Sequence, residues 1–330
     1  MKKFLLIVLF FTNLSFSQSP ELLEDVGNFV NDALIFSERY ITPATDAAIY
    51  QSSSGWVYSL EKKPMWNVTL GLHANVFFVP QKDREFEINN SDFSFFTIEN
   101  ATSATVPTAL GNDYQVYLTG QLGDEEVRLK TPEGVNEEVV FYPHFSGAVT
   151  LWRRTEFLFK FAPRTKLKRG DYQVYGFGLK HDLSQYIKPL QSHKINLSGL
   201  FCYSKEDISF SFVDTQTGYG NLGINKISGF VDSWQFQVNA SKTYKKVEFI
   251  TGIIANTSNV EYQFTGEKGQ IEEVIPLRYI LNEKLKEIYE TKTNIIGEVS
   301  CRFQFNKTYL QSTVAFGKFV NSNMSLQYEF

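Results

Sequence analysis

Beyond its first residues this sequence has no apolar run of the roughly 18 residues that a membrane-crossing helix needs, which excludes a helical span. Cysteine is scarce. Cys202 and Cys301 are the only two, about a hundred residues apart, and that spacing excludes a CxxC pair or a clustered zinc site. Each falls within a strand-like segment, and their alternation parities put them on opposite faces, so two unpaired thiols are expected. Histidine is scarce too, with His73, His144, His181 and His193 as the whole set. No GxSxG, HExxH or glycine-rich phosphate loop occurs. A positive charge balance is also lacking. The formal charge is −4, which argues against nucleic acid as a partner.

Aromatics are abundant. They make up 15% of the chain, with 30 Phe and 17 Tyr against three Met, a bias that suits strands and interfacial girdles. The N-terminus reads as a secretory signal over residues 1–17: Lys2 and Lys3, then eight apolar residues from Phe4 to Phe11, then a small and polar stretch ahead of Gln18. Removing two lysines takes the charge from −4 to −6. Mean hydropathy is −0.21, which strands with one wet face tolerate.

Residues 18–62 differ from the remainder. Apolar positions 22, 23, 26, 29, 30, 33 and 34 follow a helical period, so a short helix is expected over 21–36. Small and turn-forming residues then predict an irregular compact segment. From residue 63 the period is two. Trp66, Val68, Leu70, Leu72, Ala74 and Val76 alternate with Asn67, Thr69, Gly71, His73 and Asn75. The same alternation recurs around Trp234–Ala240 and Ile295–Phe305, and it ends with Met324, Leu326, Tyr328 and Phe330 on one face. Strands this long, each with one apolar face, predict an all-β fold: a transmembrane antiparallel barrel of 12–14 strands over 63–330, with 18–62 as a lumenal plug containing a short helix. Counting back from Phe330 puts inner turns at 306–308, 243–246, 204–207 and 164–169, and an outer loop at 266–292.

The terminal Met324-Ser-Leu-Gln-Tyr-Glu-Phe330 resembles the C-terminal signature of bacterial outer-membrane barrels. The resemblance implies that Met324, Leu326, Tyr328 and Phe330 are read by the barrel-insertion machinery. Pro43-Ala-Thr-Asp-Ala-Ala-Ile-Tyr-Gln-Ser-Ser-Ser-Gly-Trp56 is similar to a hatch segment of related exported barrels, with Gln51-Ser-Ser in place of an Asn-Pro-Ala turn. Val174-Tyr-Gly-Phe-Gly-Leu-Lys-His-Asp-Leu183 resembles a strand common among short outer-membrane barrels of gut and marine Gram-negative bacteria. Signal, plug and barrel together look like the long-chain fatty-acid transporter class. That likeness implies a Gram-negative outer-membrane location in contact with outer-membrane lipid, and passive uptake of hydrophobic or amphipathic small molecules through a porin-like barrel.

Candidate ligand contacts lie in Tyr279–Glu290, where Ile280, Leu281, Leu285, Ile288 and Tyr289 have helical spacing. A structural or adhesion-type barrel without transport is the alternative. No enzyme, cofactor or metal is expected. His181 and Asp182 are adjacent on a strand and point apart. His73 reads as a pore-lining polar residue, and His144 and His193 as loop residues. Asp124-Glu-Glu126, Glu137-Glu138 and the basic run Arg164–Arg169 read as solvated charges.

Overall fold

The computed structural model describes residues 20–330 except 215, 218, 219 and 274. The signal expected over 1–17 lies outside the described residues. Ten long strands close into one antiparallel barrel. In chain order they are β1 (Val68–Phe78), β2 (Val139–Thr150), β3 (Thr155–Leu167), β4 (Gly170–Asp182), β5 (Asn196–Ser211), β6 (Lys226–Tyr244), β7 (Val247–Phe264), β8 (Glu290–Phe305), β9 (Thr308–Phe316) and β10 (Val320–Glu329). Each pairs with its neighbours in sequence. The seam closes where β1 pairs with β10, for example Leu72 opposite Leu326.

The wall is inverted relative to a water-soluble barrel. On β1, Thr69, His73 and Asn75 are buried in the lumen, whereas Leu70 and Leu72 are exposed outside. Phe157, Phe159, Phe177, Phe201, Phe236, Ile253, Val299 and Leu326 continue that exposed exterior around the barrel. An apolar surface of this extent faces hydrocarbon rather than water. The protein is a transmembrane β-barrel. No described helix is long and apolar enough to cross a membrane. Cys202 points into the lumen and Cys301 outward, and both are free.

The strand count is ten, not the expected 12–14, for three physical reasons. Two lower it, and a third, a turn at Trp152–Arg154 that divides a stretch expected as one strand over 146–162 into β2 and β3, raises it by one. Residues 80–138 do not enter the wall. Their short strands, Glu85–Asn89 with Ser103–Pro107, and Thr97–Ile98 with Tyr117–Leu122 and Glu125–Lys130, form two small sheets beyond one end. Second, Ser204–Asp207 is not a turn but the middle of β5. The ladder runs through it unbroken, with Glu206 buried opposite Val174 and Val231 while Lys205 reaches Asp232 at 3.6 Å. Joining two expected strands into one moves the turns between 155 and 204 to the opposite end, and the extra turn at Trp152–Arg154 restores the expected sides further upstream. The Arg164–Arg169 run therefore lies at the end that carries 80–138, and the 183–195 connection, with the short helix α2 (Lys188–Ser192), lies at the end of the seam where Phe330 sits. We call these the capped end and the closing end.

Helix α1 (Pro20–Ser53) replaces the expected short helix and irregular segment. Its first half carries the 3.6-residue apolar stripe and packs into the cap, with Phe29 against Phe95 and Phe96 (centroids 5.4 and 5.6 Å) and Phe36 against Phe86 (5.3 Å). Its second half enters the lumen. There Ala44, Ala47, Ala48, Ser52 and Ser53 are buried on every side, so no amphipathic period exists to be read. Small side chains fit a helix inside a ten-stranded wall. Gly55, at φ +71°, ends the helix and turns the chain into the extended stretch that leaves through the closing end.

Helix α3 (Leu277–Leu285) lies in the loop between β7 and β8 and packs on α1 and β7. Leu277, Leu281 and Leu285 are buried in the cap core.

Candidate functional site: the plugged lumen

The lumen is filled by residues 40–63, held mainly by wall side chains that bond to their backbone. At the capped end Tyr40 donates its hydroxyl to Glu133 O (2.8 Å), and burial pushes that phenol above its ordinary range. One turn and a half further in, the Asp46 carboxylate takes Lys292 Nζ at 2.5 Å and also Lys318 Nζ, an ionic collar around α1. Below it the wall reads the chain as a peptide. Lys160 Nζ donates to Ser52 O (3.1 Å) and Ser54 O (2.7 Å), Gln235 to Ser53 O (3.1 Å) and Gln311 to Val57 O (2.9 Å). Glu298 accepts from Gly55 N (2.8 Å), and Glu248 from Leu60 N (2.9 Å) and Ser59 Oγ (2.6 Å). Lys180 also donates to Ser59 O while pairing with Glu156 at 3.0 Å. These bonds satisfy a buried non-helical segment whose own backbone groups would otherwise be orphaned.

Apolar contact completes the fit. Trp56, Val57, Tyr58 and Leu60 pack with Ala148, Leu158, Leu200 and Ile250 of the wall. The Lys160 ammonium also lies 4.6 Å from the Trp56 ring centroid. At the closing end Lys63 meets Glu329 at 2.9 Å, and Glu329 meets Arg302 at 2.6 Å. Burial pulls the Lys63 ammonium below its usual range, against the opposing attraction of Glu156 and Glu329.

A latch spans the seam. His73 of β1 places Nδ1 at 2.9 Å from Asn323 Oδ1 of β10 and Nε2 at 2.5 Å from Ser146 Oγ of β2. With Asn323 accepting from Nδ1–H, Nε2 accepts from the Ser146 hydroxyl. Tyr58 of the plug donates to the same Ser146 oxygen. Gly71 makes room for this: a Cβ there would lie 2.9 Å from the Tyr58 ring. His144 stacks on His73 with centroids 4.4 Å apart. The order serine, histidine, amide is that of a nucleophile, base and orienting group. Here the plug's own hydroxyl occupies the serine oxygen and all the members are buried, so the set ties the plug to the seam.

His73 and Asn75 do line the lumen as expected. His144 is not a loop residue; it lies inside β2 facing the lumen, because β2 begins earlier than the weak pattern before residue 146 suggested. His193 lies in the 183–195 connection. His181 bonds Thr155 Oγ1 (2.9 Å) and Tyr186 (3.1 Å) at the closing end. Ile280 and Ile288 are partly buried against the cap core, Leu281 and Leu285 are within it, and Tyr289 donates to Tyr262 O at 3.1 Å. Met324, Leu326, Tyr328 and Phe330 share the exposed exterior row of β10 and its end. Sequence reasoning missed Tyr58, Ser146, Lys160, Lys180, Glu248 and Glu298. Their signal was available: for the wall members, a charge or hydroxyl on the inward parity of a strand whose outward row is apolar.

A family model described as a family of unknown function (DUF6588) matches residues 1–330. The chain belongs to that family. A comparison with curated proteins finds no match to this DUF6588 chain. Among solved structures it is similar to the attachment invasion locus protein Ail of Yersinia pestis, at 6% identity and TM-score 0.26, covering 81% of this chain and 100% of that one. The translocator domain of autotransporter NalP from Neisseria meningitidis aligns at 8% identity and TM-score 0.32, covering 89% and 99%. Salmonella typhi OmpF aligns at 5% and 0.22, covering 84% and 100%. At these scores little backbone superposes, and the architecture of the DUF6588 chain rests on its own strand pairing.

Proposed function

We propose that this protein is an outer-membrane barrel of a Gram-negative bacterium, closed at rest, that admits small hydrophobic or amphipathic molecules when α1 shifts. The observation that carries this reading is the continuity of α1. Phe29, Ala33 and Phe36 on its first half line an apolar pocket completed by Phe96, Leu118 and Phe212, and the same helix runs on as the lumenal plug. The free space there is only about 20 Å³, so a guest enters by parting the packed rings around Phe29 and Phe36, and that moves the element that closes the pore. The apolar residues of α3, including Leu281 and Leu285, back the same core, with Ile280, Ile288 and Tyr289 toward its outside. Uptake of a fluorescent fatty-acid analogue into proteoliposomes tests this. Leu285→Ser with Ile288→Ser should lower it, and unchanged uptake would count against the α3 contacts. The exposed row ending at Phe330 supports handling by barrel-insertion machinery.

A second reading, a structural or adhesion-type barrel without transport, is favoured by the density of wall contacts to residues 52–60. Planar-bilayer conductance separates the two. A wild-type barrel that stays silent with and without apolar ligand, while a chain lacking 20–62 conducts, would favour the second reading.

A further inference from the structure

Every connection at the closing end pairs an exposed aromatic with an exposed cation. Trp152 stands beside Arg153 between β2 and β3, and Tyr186 near Lys188 and Lys194 between β4 and β5. Tyr244 precedes Lys245 and Lys246 between β6 and β7, and Phe305 precedes Lys307 between β8 and β9. Lys62 and Trp66 do the same ahead of β1. The side-chain carboxylates at this rim are withdrawn: Glu61 bonds Thr243 (2.7 Å), Asp182 pairs with Arg154 (2.9 Å) and Glu329 with Arg302 (2.6 Å). The capped end is of mixed sign, with Glu85, Glu87, Asp124, Glu126, Glu137 and Glu138 exposed alongside Arg164, Lys166 and Lys168.

Lys242 fixes the level of this belt. It lies in the outward row of β6, after Trp234, Phe236, Val238 and Ala240 and before Tyr244. A lysine in a lipid-facing row lays its methylenes along the wall and lifts its ammonium to the headgroup layer. Lys245 Nζ lies 5.5 Å from the Tyr244 ring centroid, which holds charge and aromatic at one height.

We propose that this rim is a binding belt for anionic glycerophospholipid headgroups. The belt adjoins the apolar wall all the way round, so the layer beside it is the bilayer's own headgroup region. Its single sign complements phosphate, and its spacing over five connections engages several lipids rather than one compact ligand. Aromatics at the same height suit an interface between water and hydrocarbon. The inference rests on the barrel spanning a membrane and is independent of whether anything is transported.

The test uses the full chain in phosphatidylcholine bilayers carrying trace spin-labelled phosphatidylglycerol or spin-labelled phosphatidylcholine. Electron paramagnetic resonance reads the fraction of each label held at the protein. The anionic label should be enriched several-fold at low salt, with the enrichment falling in 1 M salt. It should fall by about half in the variant Lys242→Gln, Lys245→Gln, Lys246→Gln, Lys307→Gln, which removes four of the eight named cations, and persist undiminished when the same four become Arg. Equal retention of the two labels by the wild type would overturn the proposal, as would enrichment that survives the glutamine changes undiminished. Should the glutamine variant fail to insert, the wild-type salt response together with the arginine variant decides the matter.

Discussion

The two halves of α1 are one continuous helix held in two opposite ways. The cap half is held by apolar packing on one face and by Asp32, whose carboxylate accepts from Ser94 N, Phe95 N and Phe96 N at 2.6–3.0 Å. The lumenal half is held on all sides, by wall side chains that reach its charges and the backbone just beyond it. Apolar burial is non-directional and tolerates sliding, whereas a set of directed bonds to successive backbone groups fixes both depth and rotation. The cap half therefore supplies stability, and the lumenal half sets position. On the proposed reading, a plug built this way is released by breaking polar contacts, with the strand pairing of the wall left standing.

Asp32→Ala should have the largest effect of the changes that separate the halves. It leaves two buried N–H groups, those of Phe95 and Phe96, and the part-buried one of Ser94 without their acceptor, at a cost of about 4 kcal/mol to the cap. Limited proteolysis should then cut within 79–138 while the heat-modifiable gel mobility of the barrel stays as in wild type. Loss of both together would mean that cap and barrel melt as one unit. Phe36→Ala comes next, at about 3 kcal/mol, because a ring packed on Phe86 and Phe212 leaves a cavity. Its signature should again be confined to the cap.

The lumenal half should answer to a different measurement. Glu248→Ala removes the acceptor of Leu60 N and Ser59 Oγ and should weaken the plug by about 2 kcal/mol. Current bursts in planar bilayers should become more frequent with little change in cap proteolysis. Tyr58→Phe deletes one hydroxyl from the seam latch and should cost about 1 kcal/mol, seen as a smaller rise in bursts. The smallest effect belongs to an exposed contact of the cap half. Arg39 holds the Asp92 carboxyl below its ordinary value of 3.8. A lowered folded-state value means that the contribution is present above that ordinary value and is lost as pH falls through the lowered one. Arg39→Ala should leave cap stability at pH 7 nearly unchanged and slightly flatten its decline below about pH 4.

The belt at the closing end sharpens the contrast between ends. The cap end carries folded structure and exposed charges of both signs, whereas the closing end presents exposed cations beside aromatics with its carboxylates paired. A barrel polarised in this way has a built-in difference between its two membrane boundaries.

Much of this was legible in local pattern. Alternation at Thr69–Val76, Trp234–Ala240 and Ile295–Phe305 specifies one-sided strands, and the inverted reading, polar inside and apolar outside, follows from their length. Apolar spacing over 22–34 specifies the cap half of α1. Opposite parities put Cys202 and Cys301 on opposite faces. These features depend only on neighbours in sequence, since side-chain direction repeats every two residues in a strand and about every 3.6 in a helix.

The tertiary structure alone decided the rest. Ser204–Asp207 continues as strand because β4 and β6 pair across it on both sides, with Ser204 opposite Gly176 and Ser233, and that continuity moved the connections between 155 and 204 to the opposite end. The lumenal half of α1 has no period because every side is buried, a condition set by ten strands drawn from the whole chain. The latch joins Tyr58, His73, Ser146 and Asn323, and its longest bond spans 250 positions. Barrel closure brings such residues together, and no local rule of alternation or propensity encodes which distant partner each will meet.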